Sequence, residues 1–143
     1  MREGLDFQAL MEPTLALVVK LHEAGLHHRD LYLCHFFARV EGEAVDLRLI
    51  DVARVARMNA LTRWRWVVKD LAQFWYSTMQ IPAITDAQRE RWLSDYAQRR
   101  RICWGGRLRA AVGMKARSIA RHDAKLRAAQ PTRNVSIPDE GGR

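Results

Sequence analysis

Residues 62–79, TRWRWVVKDLAQFWYSTM, set Trp64, Val67, Val68, Leu71, Phe74, Trp75 and Met79 at the i, i+3, i+4, i+7 spacing of one helix face. An apolar face that broad must be covered by other elements, so the stretch predicts a well-buried helix. Its tryptophans, with Trp92 further on, read as core or interface aromatics. The full chain of 143 residues has room for one such core. Ile81-Pro82 ends the helix, and Thr85 with Gln88 forms a capping-box signature. A further helix over 86–99, burying Trp92, Leu93 and Tyr96, is expected. Upstream, Leu15, Val18, Val19 and Leu21 predict a buried helix over about 13–24, preceded at most by a short helical turn. Pro13 reads as its first-turn residue and Gly25 as its left-handed stop. His22 is placed on that helix's surface.

After Gly25 comes a compact polar segment, His27-His28-Arg29-Asp30-Leu31-Tyr32. Phe36 to Val40 and Val45 to Ile50 then read as two strands of a hairpin over 36–51, turning at Glu41-Gly42-Glu43. Val45, Leu47 and Leu49 alternate with Asp46 and Arg48, as one buried face requires, and the hairpin ends at Asp51. A last helix over 107–129 carries Leu108, Val112, Ile119 and Leu126 near one face. Arg107, Arg109, Lys115, Arg117, Arg121, Lys125 and Arg127 lie along it. The Pro- and Gly-containing stretch 130–143 predicts a disordered tail. The fold class expected is therefore mainly α with a small β-hairpin.

Several function classes drop out. The longest apolar run, Leu15 to Val19, is far short of the ~20 residues a membrane-crossing helix needs. MREGLDFQALMEP lacks the basic and apolar regions of a secretory signal. Cys34 and Cys103 make neither a disulfide scaffold nor a metal spacing, which fits a reducing cytoplasm. Cys34 has no activating partner in the pattern and is assigned no chemistry. The net charge of +8 is uneven, −2 over residues 1–58 and +10 over 59–143. The second half is thus suited to an anionic surface or substrate. Trp spacing is that of a core, and no RRM, KH or zinc-finger pattern is present, so nucleic acid is not the expected partner.

The order of polar residues carries the chemistry. His28-Arg29-Asp30 follows a helix, His35 follows the loop, Asp51 closes a hairpin and Asp70 lies on the next helix. Phosphoryl transfer to a hydroxyl needs one carboxylate to orient the acceptor and another to hold magnesium on the phosphates. A hairpin between Asp30 and Asp51 can bring two such groups together. A metal-hydrolase cluster of His27, His28, Asp30 and His35 matches no zinc spacing.

His28-Arg29-Asp30-Leu31 resembles the H-R-D-L catalytic loop of eukaryotic-type protein kinases, and Ile50-Asp51-Val52 stands where those enzymes carry D-F-G. The runs LHEAGLHHRDLYLCHFF, LRLIDVARV and RWRWVVKDLAQFWYSTM are more similar to the lipopolysaccharide core kinases of the Kdo/WaaP family, heptose kinase type. A weaker likeness continues around Lys115-Ala116-Arg117, so it spans about residues 10–127 in matching order. The resemblance implies the C-terminal, larger lobe of a protein-kinase-like fold over 1–129, with the catalytic loop at 26–35. It implies ATP and Mg2+ as cofactors, Asp30 as the hydroxyl-orienting base and Asp51 as the magnesium ligand. His35 stands where protein kinases carry a metal-binding Asn, and is expected to serve the nucleotide-metal site. Asp70 would hold the loop's shape, with His28 packed in it and Arg29 ion-paired.

No Gly-rich loop or phosphate-pairing lysine precedes residue 26, so the chain resembles the C-terminal lobe cut from a longer kinase, with the missing N-terminal lobe as its implied partner and little turnover expected from this lobe alone. The implied acceptor is a sugar hydroxyl of the lipopolysaccharide inner core. The implied location is cytoplasmic, peripheral to the inner membrane through the basic helix 107–129. Two alternatives stand beside it. One is a non-catalytic lobe remnant that binds lipid or nucleic acid through its basic surface. The other is an aminoglycoside-type phosphotransferase, which usually shows H-G-D where this chain has His28-Arg29-Asp30.

Overall fold

The computed structural model describes residues 6–130, and the expected tail lies outside these residues but for Gln130. Four helices form the body: α1 Phe7–Glu23, α2 Arg63–Met79, α3 Asp86–Arg99 and α4 Gly105–Ala129. Two small antiparallel sheets sit between α1 and α2: β1 Leu26–His27 with β4 Ala56–Arg57, and β2 Phe36–Glu41 with β3 Ala44–Leu49. The chain is thus mainly helical with small antiparallel sheets. No helix among the described residues is long and apolar enough to cross a membrane.

The core forms where the four apolar helix faces meet. Leu15 and Val18 of α1, Leu71 and Phe74 of α2, Trp92 and Tyr96 of α3, and Leu108 and Val112 of α4 are all buried. Phe74 stacks on Trp92 at 4.5 Å between centroids, joining α2 to α3. Burying each such side chain contributes about 1.5–3 kcal/mol. The capping box at Thr85 is complete, with Gln88 N donating to Thr85 and Thr85 N donating to Gln88. Gly25, at φ +74°, ends α1 in the left-handed region that glycine enters without strain.

Several expectations are corrected. α1 begins six residues before Pro13, capped by Asp6, so the proline lies inside the helix. Thr14, next to the proline, turns its hydroxyl onto the Leu10 and Met11 carbonyls at 2.7 and 3.1 Å. β3 stops at Leu49, two residues before Asp51. Trp64, Met79 and Leu126 are not core residues: Trp64 leans on Trp104 at the surface, and Met79 and Leu126 are exposed. α4 starts at Gly105, and both cysteines are free and exposed.

Candidate functional site

The segment from Gly25 to His35 has little regular structure of its own, so its backbone groups need partners elsewhere. They find them along one stripe of α2. Asp70 accepts from His28 N and Arg29 N at 2.8 and 3.0 Å. Gln73, one turn on, accepts from Leu31 N at 3.0 Å. Ser77, a turn further, accepts from Leu33 N at 3.0 Å. Residues 70, 73 and 77 share a helix face by their i, i+3, i+7 spacing. The loop is therefore held along its backbone, at alternate residues, by the polar edge of a helix whose adjoining face is core.

Asp70 is fully buried and is further held by His22, which is not the surface residue its sequence context suggests. Nε2 of His22 lies 3.1 Å from Asp70 Oδ2, and Nδ1 lies 2.7 Å from the Tyr96 hydroxyl. A carboxylate only accepts, so Nε2 carries the proton and Nδ1 accepts from Tyr96. Burial holds the Tyr96 phenol far above its ordinary pKa, which keeps it a donor. The result is a dry relay from α3 through α1 to α2, ending on the loop.

The loop's other end closes on the hairpin. His35 Nδ1 donates to the Asp30 carbonyl at 2.6 Å. Ile50 N donates to the His35 carbonyl at 2.8 Å, and His28 Nε2 donates to the Ile50 carbonyl at 3.1 Å. Asp51 follows at once, at φ 56°, and Met58 N donates to the Gly25 carbonyl where β4 pairs with β1. These bonds bring Asp30, His35 and Asp51 to one place. His35 Nε2 stands 3.7 Å from Asp51 Oδ2, and Arg54 Nη1 donates to Asp30 Oδ2 at 2.6 Å.

The donor set is open to solvent on one side: the Asp51 side chain is 56% exposed and that of Asp30 23%. With Nδ1–H given to a carbonyl, neutral His35 turns a lone pair towards the Asp51 carboxylate. Two acceptors face each other there, and a cation, or a proton on the ring, makes the approach favourable. Magnesium is commonly held by one or two carboxylates completed by phosphate oxygens and water. A single exposed carboxylate at Asp51 fits that demand, whereas no group of three metal-ligating side chains occurs among the described residues.

Arg29 departs from expectation. It makes no ion pair among the described residues; its guanidinium lies over the Trp66 ring, 5.3 Å from the centroid. At φ 74° its backbone occupies a region costly for a side-chain-bearing residue, and the bond from its N–H to Asp70 holds it there. His28 is buried, as a packed loop residue should be. Sequence reasoning missed His22, Tyr96, Gln73, Ser77, Arg54 and Trp66. Gln73 and Ser77 had a signal in their helical register with Asp70. Arg54 and Tyr96 had none, because their partners are remote in the chain.

The chain is similar to known proteins. The model of the lipopolysaccharide kinase (Kdo/WaaP) family matches residues 6–96. Lipopolysaccharide core heptose(I) kinase WaaP of Pseudomonas aeruginosa is 36% identical over 96 residues, covering 64% of this chain and 35% of that protein. Its namesake from Escherichia coli K12 is 34% identical over 76 residues, covering 50% of this chain and 28% of that protein. The chain thus spans about a third of the length of the curated relatives it matches. No solved structure matches it significantly. With a family match that holds the loop, the hairpin and α2 in one register, the chain belongs to the Kdo/WaaP lipopolysaccharide kinase family.

Proposed function

We propose that this chain forms the C-terminal, acceptor- and metal-binding lobe of a kinase-like fold. Its reaction is transfer of the ATP γ-phosphoryl group to a sugar hydroxyl of the lipopolysaccharide inner core, on heptose. The observation that supports it best is the place of His35, whose ring donates to the Asp30 carbonyl and stands 3.7 Å from the Asp51 carboxylate. Asp30 orients the acceptor hydroxyl and takes its proton. Asp51 is the residue that would hold magnesium, which neutralises charge on the nucleotide phosphates. His35 holds the backbone at Asp30 beside the Asp51 carboxylate, and Asp70 fixes the loop that carries Asp30 through the His28 and Arg29 N–H groups. Arg54 pairs with Asp30 at 2.6 Å and balances its charge.

The reading places a nucleotide-clamping N-terminal lobe beside this one as its partner. It places the enzyme at the cytoplasmic face of the inner membrane. α4 supports that location: Arg107, Lys115, Arg117 and Arg121 are exposed on it, while Arg109 is occupied by Glu90 at 2.7 Å and Arg127 by Asp123. Each free basic residue near an anionic leaflet contributes about 1 kcal/mol to attraction. The test is a chimera in which residues 6–130 replace the corresponding segment of the E. coli relative. Transfer of label from ATP to purified dephosphorylated core glycolipid supports the reading. A folded, ATP-binding chimera that transfers nothing overturns it.

A further inference from the structure

The most crowded positive charge in the described chain surrounds one indole. Trp66, half-buried on α2, has Arg29 and Lys69 each 5.3 Å from its ring centroid and Arg65 at 5.6 Å. His27 stacks on the same ring at 4.2 Å. A cation over an indole gains about 0.5–1 kcal/mol at exposed sites, so the ring by itself holds each of the three only weakly. None of the three cations makes an ion pair among the described residues. Arg29 Nε is buried without a hydrogen-bond partner.

The neighbouring carboxylates are already engaged. Asp30 is held by Arg54 at 2.6 Å, and Asp70 accepts two backbone N–H groups and His22. Burial pushes the Lys69 ammonium's pKa down, and Arg54 and Lys115 push it the same way; Asp30 and Asp70 hold it up. Arg65 is exposed and Lys69 half-buried, so the cluster is reachable from solvent. Arg29 adjoins Asp30 in the chain. A planar guanidinium fork beside a flexible ammonium is suited to a carboxylate or phosphate oxygen pair.

We propose that Arg29, Arg65 and Lys69 form, around the Trp66 indole, an anion subsite that takes a carboxylate or phosphate group carried by the acceptor saccharide. The assignment of its occupant to the acceptor rests on the reading of Asp30 as the hydroxyl-orienting residue. The subsite fixes which sugar is presented to Asp30, by gripping a charged neighbour of the reacting one.

The test uses the full 143-residue chain, without nucleotide, in low-salt buffer. Inorganic phosphate and glucuronate are titrated separately while the Trp66 indole N–H resonance is followed, its assignment secured by Trp66→Phe. Chloride is the reference anion. The expected result is a saturable shift of that resonance by phosphate or glucuronate at least tenfold tighter than by chloride. The stronger of the two identifies the acceptor group as ester phosphate or sugar carboxylate. Arg65→Gln with Lys69→Gln weakens binding at least tenfold, and Arg91→Gln, on the exposed face of α3, leaves it unchanged. If the double variant loses its fold, Arg65→Gln alone, at an exposed position, weakens binding at least threefold. No preference over chloride, or equal binding by the folded variants, overturns the subsite. Because no phosphoryl transfer is measured, an inactive enzyme with intact anion binding refutes the proposed reaction and not the subsite.

Discussion

His22 and Asp70 meet at the centre of the molecule, Nε2 to Oδ2 at 3.1 Å, with neither side chain reached by solvent. The contact lets a helix that precedes the loop and a helix that follows the hairpin fix the same carboxylate. That carboxylate in turn fixes two consecutive N–H groups of the loop. Burying an ionised carboxyl is costly unless its oxygens are satisfied, and here three donors converge on them.

Asp70→Asn tests this arrangement. The amide keeps one acceptor but turns an NH2 towards groups that already donate. At least one buried N–H is orphaned, and the change is expected to destabilise by about 2–4 kcal/mol. Urea unfolding measures it. A double-mutant cycle with His22→Ala should show coupling between the two sites of about 1 kcal/mol or more. Additive effects would show that the relay does not act as a unit.

The elements that depend on periodicity were legible in the sequence. α2 and α3 follow their apolar spacing, and the Thr85 cap is local chemistry. His22 shows how residue type can outweigh register. It lies four residues after Val18 and three after Val19, on the buried side, yet imidazole suggests solvent. Only the distant Asp70 and Tyr96 make its burial favourable. The β1–β4 pair was not legible, since two-residue strands joined across the whole hairpin carry no local pattern. Asp30 and Asp51 were legible as a motif. What brings them near each other was not, because it depends on Ile50 N bonding the His35 carbonyl across the closed loop.

A pH effect on stability follows from His27. Burial against Trp66 lowers its pKa below the ordinary 6.5, with Arg29, Lys69 and His22 acting in the same direction and Asp70 against. A base whose folded pKa is depressed is protonated first in the unfolded chain. Stability from this residue is therefore complete above about pH 6.5 and falls as pH drops through the unfolded value towards the lower folded one. The urea midpoint should decline between pH 7.5 and 5.5, and His27→Gln should flatten that decline. An unchanged slope would remove His27 as its source.

Gly25→Ala isolates backbone conformation from packing. A Cβ at Gly25 meets nothing within 4 Å, yet φ is +74°. The expected loss is about 1–2 kcal/mol, all of it from left-handed backbone strain at the end of α1. Thermal unfolding checks it. A loss near zero would place the stop of α1 elsewhere.

Asp51 should be the centre of divalent-cation binding. Manganese, which shares magnesium's preference for oxygen donors, should broaden the NMR signals of Asp51, Val52 and His35 before any others. EDTA should restore them, and Asp51→Asn should abolish the early broadening. Broadening centred instead on Asp46 and Glu41 of the hairpin would contradict the assignment.

The role proposed for Asp30 is to orient the acceptor for phosphoryl transfer. The most direct measurement is label transfer from ATP to dephosphorylated core glycolipid by the chimera carrying residues 6–130, with and without Asp30→Asn. Among the described residues the Asp30 carboxylate bonds to the exposed Arg54 and to no core group, so the variant should fold as the parent does. The predicted result is at least about a 100-fold fall in kcat with ATP binding retained. Turnover within a few-fold of the parent would contradict the account.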